Sequence, residues 1–133
     1  MSNQNHDHDE LIRHLRGIQY VVINSQHGGF GLSKEARYLY LQLAGIDYTT
    51  TSNRDRDTEN WYGHSIIVNG SQWHENDIAR DDPALVNVVR QLGSKADGRF
   101  AKLKIVEVPA GVKWRIAGYD GIEWVEEVHR TWS

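Results

Sequence analysis

Hydrophobic and polar positions follow three different rhythms along this chain of 133 residues. The first is continuous. Gln19-Tyr20-Val21-Val22-Ile23-Asn24 is a short, β-branched apolar run, and it predicts a strand covered on both faces. Three glycines in four positions, Gly28, Gly29 and Gly31, then rule out any regular element and predict a loop. The second rhythm is helical. Leu32, Ala36, Leu39, Tyr40 and Leu43 recur at helix spacing, with Ser33 as N-cap, Glu35 in the first turn and Gly45 as the stop. The third is no rhythm at all: residues 47–63 are almost wholly polar and predict a long surface loop.

Ser65-Ile66-Ile67-Val68 reads as a short strand, and Asn69-Gly70 is the favoured dipeptide for a tight hairpin turn, with Trp73 bounding the returning strand. A second helix is marked at both ends by Asp82 as cap, Pro83 in its first turn and Gly93 past its end; Leu85, Val88, Val89 and Leu92 form its buried stripe. The last third is β-rich. It predicts strands over 100–108, ended by Pro109, and over 112–116, then a turn at Asp120-Gly121. Residues 122–128 fit either a strand or a short helix. These elements predict an α/β (α+β) fold with a mixed small sheet of about five to six strands and two main helices. One domain spans 17–133, preceded by a weakly ordered extension over 1–16.

Composition narrows the functional classes. There is no cysteine, which excludes disulfide scaffolds, thiolate metal sites and cysteine nucleophiles, and fits a reducing cytosol. No apolar stretch approaches the ~20 residues that cross a bilayer, and the first residues lack the pattern of a signal peptide. A net charge of −3 argues against duplex nucleic acid as a partner. Five Trp in so short a chain imply packing anchors, a subunit interface or a stacking surface.

Candidate chemistry centres on the strand, glycine loop and helix over 21–45. Loop N–H groups and a helix N-terminus together attract phosphate, which singles out Phe30 and Ser33. The alternative is a tight structural turn with Phe30 in the core. Arg80, just ahead of the second helix, is placed to grip phosphate through a guanidinium fork, or else to pair with Asp81 or a neighbouring carboxylate. Arg99-Phe100 offers a cation beside a flat face, as nucleobase stacking requires; the alternative is a core Phe. His129-Arg130-Thr131-Trp132 adds donors and a cation near the chain end, fit for a partner or a solvated tail. His27, His64, His74 and Glu75 would make a metal site only if the fold assembled them, and His6-Asp7-His8-Asp9-Glu10 would hold metal weakly at best. No nucleophile has a recognisable local signature, and no cofactor is implied.

Ile23-Asn24 with Gly28-Gly29-Phe30-Gly31-Leu32-Ser33 resembles the opening of a family of small phage proteins. The likeness continues through Ile78-Ala79-Arg80-Asp81-Asp82-Pro83-Ala84-Leu85-Val86, Ala101–Pro109, Tyr119–Glu123 and His129–Trp132, covering roughly residues 18 to 132. The chain is identified as resembling the Thoeris anti-defence sponges, which sequester cyclic ADP-ribose-type immune signals without cleaving them. That resemblance implies a non-enzymatic protein of the host bacterial cytosol. It implies assembly as a homo-oligomer, dimer or hexamer, and an ability of some members to hold cyclic oligonucleotides. It implicates Phe100, Arg130 and Thr131 in ligand contact. Glu126 stands where the resemblance leads one to expect a further arginine. Two rival functions are a protein-binding inhibitor of a host defence factor and a small nucleotide hydrolase.

Overall fold

The computed structural model describes residues 17–52 and 64–128; the extension over 1–16, the segment 53–63 and residues 129–133, with Arg130 and Thr131, lie outside the described residues. The fold is built on β1 (Ile18–Asn24), whose Val21 and Val22 are fully buried. Successive side chains of a strand point to opposite faces, so these two neighbours serve two separate apolar clusters. Val22 joins a cluster with Leu41, Leu85 and Val88 from the two helices and Ile66 from β3 (His64–Val68). Val21 and Ile23 join a second one with Val108, against which Trp114, Ile116 and Val125 pack. The two-faced burial expected of this apolar run is therefore present.

The strand pairs antiparallel with β5 (Leu103–Pro109), Val21 opposite Val106. One face carries α1 (Lys34–Leu43) and α2 (Pro83–Leu92). The other carries a hairpin of β6 (Trp114–Tyr119) and β7 (Ile122–Glu127). Local chemistry sets both helix starts: Ser33 Oγ accepts from Ala36 N at 3.1 Å, and Asp82 Oδ1 accepts from Ala84 N at 2.9 Å. Asp82 also joins the helices, because the Tyr40 hydroxyl donates to its Oδ2 at 2.7 Å. Burial, reinforced by that carboxylate, pushes the Tyr40 phenol well above its ordinary range.

The α+β class, with two helices and seven strands among the described residues, is as expected. The sheet arrangement differs. Instead of one mixed sheet of five to six strands, the described residues form three small ones, all antiparallel: β1 with β5, β6 with β7, and β3 flanked by β2 (Thr49–Ser52) and β4 (Ser71–Gln72). The polar segment 47–63 is not all loop. Thr49–Ser52 forms β2 and pairs with β3, while β4 (Ser71–Gln72) returns from Asn69-Gly70. Three consecutive threonines supply β-branched stiffness without apolar content, a preference that hydrophobic periodicity does not register. Asn69 and Gly70 have φ of 52° and 79°, the signature of the tight hairpin turn. Residues 122–127 are strand rather than helix, paired across Asp120-Gly121. No helix among the described residues is long and apolar enough to cross a membrane.

Candidate functional site

Three segments converge at the C-terminal end of β1: the glycine loop, the turn at Gly98–Ala101, and the β6–β7 turn at Tyr119–Ile122. Asn24 holds them together. It is the one fully buried polar residue among those described. Its Nδ2 donates to Gln26 O and to Gly121 O, each at 2.7 Å, while its Oδ1 accepts from Lys102 N at 2.8 Å. A single amide therefore serves all three segments. The glycines allow the close approach. A Cβ on Gly28 would lie 2.5 Å from Phe100 O, and one on Gly121 would lie 2.5 Å from Gly29 N. Both have positive φ, 121° and 86°, so any side chain there would be strained as well as crowded. Sequence reasoning does not single out Asn24 as a functional residue. The available signal was a polar residue closing an otherwise apolar strand.

Arg80 lies within the fold. Its guanidinium forks onto Glu123, Nη1 to Oε1 at 2.7 Å and Nη2 to Oε2 at 2.9 Å, and Nη1 also donates to Val22 O at 3.2 Å. The Phe30 ring lies 3.6 Å from the guanidinium carbon, and Phe30 itself packs against the helix-side core. This corrects the expectation that Arg80 and Phe30 face a ligand. The fork does grip an anion, but that anion is the carboxylate of Glu123, 43 positions later. The pair also completes the edge of β1. Val22 N donates to Arg80 O at 2.8 Å, and Asn24 N donates to Glu123 Oε1 at 2.8 Å.

The loop-to-helix junction has its own internal anion too. Glu75, in a short 3-10 turn (Glu75–Asp77), accepts from Leu32 N just before α1. Ser33 caps the helix and donates from Oγ to Lys95 O at 2.7 Å. At this junction the Leu32 N–H thus meets a carboxylate of the chain itself, and the Ser33 hydroxyl is engaged in the cap and in the bond to Lys95. Ser33→Ala is expected to destabilise the protein by about 1–2 kcal/mol, the cost of a lost cap plus a second hydrogen bond. Urea unfolding monitored by circular dichroism checks this, and a change within error would remove Ser33 from the capping role.

What faces solvent is different. Phe100 is 61% exposed and Tyr119 is 76% exposed, on turns that both lie against the Gly28-Gly29 pair. Phe100 precedes β5 rather than opening it, because Ala101 N closes a turn onto Gly98 O at 3.0 Å. The Arg99 guanidinium lies 5.3 Å from the Phe100 ring centre, within cation–π range. His27, on the same loop, has its Nδ1 3.0 Å from the Asp120 carbonyl and 3.4 Å from the Asp120 carboxylate. Since a carbonyl only accepts, Nδ1 carries the proton and Nε2 is left for other partners.

Among the described residues no group of three or more His, Asp or Glu side chains converges as a metal site. Glu126, on the outer face of the hairpin, bonds Trp124 Nε1 at 3.0 Å and Arg115 Nη2 at 2.8 Å; these partners, the indole first, hold its carboxyl below the ordinary range. The geometry defines a small α+β protein whose exposed aromatic and cationic groups ring a glycine-rich junction of three turns. Comparison with protein-family models, with curated proteins and with solved structures gives no match.

Proposed function

We propose that this chain binds a cyclic, phosphorylated nucleotide of the cyclic ADP-ribose class and holds it without breaking it, as an anti-defence sponge in the cytosol of an infected bacterium. The observation that carries this reading is the pairing of an exposed Phe100 with Arg99 beside the Gly28-Gly29 loop. An exposed phenyl face stacks on a base, and a guanidinium next to it neutralises phosphate. Tyr119, on the turn that packs against the same loop, offers a second exposed flat face. Arg130 and Thr131, which the resemblance assigns to the ligand, follow β7, the strand that starts from the Asp120-Gly121 turn. A sequestering protein needs stoichiometric capacity rather than turnover, so assembly into a dimer or hexamer with several sites belongs to the same proposal.

One observation favours a second reading. His27 held through Nδ1 by the Asp120 carbonyl, with the Asp120 carboxylate 3.4 Å away, leaves Nε2 to act as a general base, as in a slow nucleotide hydrolase. Thermal unfolding against cyclic ADP-ribose isomers and cyclic di- and trinucleotides, followed by chromatography of the recovered ligand, separates the two. Sequestration predicts a raised midpoint and intact ligand. Phe100→Ala should then weaken binding by about 1–3 kcal/mol, the worth of one stacked base, without lowering the midpoint of the free protein. Recovery of a cleaved product that His27→Gln prevents would replace sequestration with hydrolysis. No shift with any nucleotide would leave the protein-binding inhibitor.

A further inference from the structure

The β6–β7 turn sets the chemistry of one more group beside the glycine loop. His27 precedes Gly28, and its side chain is 65% exposed. Its Nδ1 donates to the Asp120 carbonyl at 3.0 Å. Asp120 and Gly121 have φ of 51° and 86°, the paired left-handed residues of a tight hairpin turn, so the backbone fixes where that carbonyl points. The turn itself is anchored. Asn24 Nδ2 donates to Gly121 O at 2.7 Å, and Gly121 lies too close to Gly28 and Gly29 to admit a Cβ. Two successive carbonyls of one turn, Asp120 O and Gly121 O, thus receive side chains from the loop and from the end of β1. A carbonyl only accepts, so in the neutral imidazole it keeps the proton on Nδ1 and leaves Nε2 with a bare lone pair. His27 Nε2 is therefore an oriented acceptor on the side of the ring away from Asp120.

Phe100 meets the same loop one residue further on: a Cβ on Gly28 would stand 2.6 Å from the Cβ of Phe100. The acceptor and the exposed phenyl thus leave neighbouring backbone positions. A base stacked on a ring is read at its edge, by hydrogen bonds from groups beside the stack. An acceptor in that place needs a donor on the base, and the exocyclic amine of adenine is one. We propose that His27 is a specificity-determining residue whose Nε2 accepts a hydrogen bond from the exocyclic amine of an adenine nucleotide, with the base on Phe100 and a phosphate at Arg99. The inference rests on the nucleotide reading of this site and adds the base it takes and the atom that reads it.

The test titrates the full chain, isotope-labelled at the histidine nitrogens, with AMP and with purine riboside monophosphate, which carries hydrogen where AMP carries the amine. At mildly alkaline pH the free protein should show His27 Nδ1 protonated and Nε2 bare. AMP should move the Nε2 resonance and leave Nδ1 in place, and Phe100→Ala should remove that response. The purine nucleotide should bind with a Kd about tenfold higher than AMP, the worth of one hydrogen bond. His27→Phe should erase this difference by weakening AMP alone. Equal Kd values for the two nucleotides, or a proton on Nε2 of the free protein, would overturn the role of His27. So would a thermal shift from cyclic ADP-ribose that keeps its full size in His27→Phe, and in that case nucleotide binding itself would stand. No response to AMP or cyclic ADP-ribose at millimolar concentration would overturn both readings together.

Discussion

Asn24→Ala is expected to cost the fold about 4 kcal/mol, well beyond the usual effect of a single substitution. The change removes three hydrogen bonds, and it strips partners from Lys102 N, Gln26 O and Gly121 O at once. Each backbone group left unpaired away from water costs roughly 1–3 kcal/mol. The turns lie near the surface, so water will recover part of the loss, which sets the expectation toward the lower end of the sum. Asn24→Asp should be no better. It keeps the acceptor for Lys102 N but turns a carboxylate oxygen toward two carbonyls. Urea titration should show a lower midpoint at unchanged slope, since the area exposed on unfolding stays the same. A loss below about 1 kcal/mol would mean that Gly28, Gly121 and Phe100 hold the three turns without the amide. The same variant should also loosen Phe100 and Tyr119, so the midpoint shift given by a bound nucleotide should shrink with it.

The parts of this fold legible in the sequence are those whose causes lie within a few residues of one another. Ser33 caps a helix through a nitrogen three positions on, Asp82 through one two positions on, and Asn69-Gly70 turns a hairpin by its own backbone angles. The run Val21–Ile23 announced a strand buried on both faces because its neighbours are apolar without a break. The site was less legible because its contacts are remote. Asn24 reaches Gly121, 97 positions away, and Lys102, 78 away. Nothing at Asn24 itself names those partners. Arg80 and Ser33 carry groups that attract anions and hydrogen bonds. Which anion they meet depends on where Glu123 and Glu75 arrive, and the chain's own carboxylates are at hand before any ligand is. Phe100 shows the reverse: a hydrophobic residue whose neighbours fit a core strand, left outside because Gly98–Ala101 turns before β5 begins.

Glu123→Leu is expected to destabilise the protein by about 3 kcal/mol, because it leaves the Arg80 guanidinium without its carboxylate in a site where little water reaches it. Both side chains are less than a fifth exposed, 18% for Arg80 and 16% for Glu123, and the fork is short on both arms. Arg80→Met should cost a similar amount by stranding the carboxylate, although Glu123 Oε1 would keep its bond from Asn24 N. The double variant should regain much of the loss, since an apolar pair removes both uncompensated charges together. It should not regain all of it. Val22 O loses the Nη1 donor and Asn24 N loses its acceptor, two backbone groups that the apolar pair cannot serve. With about 2 kcal/mol still lost in the double variant, the coupling energy of the cycle should therefore be about 4 kcal/mol, read from denaturant midpoints of the four proteins. A coupling below about 0.5 kcal/mol would mean that each side chain is hydrated independently and that the fork seals nothing. The cycle also separates structure from binding: with Arg80 spent on Glu123, Arg80→Met should lower stability and leave the nucleotide affinity of the folded protein unchanged. An affinity that falls in Arg80→Met and stays low in the restabilised double variant would put the guanidinium back on the ligand.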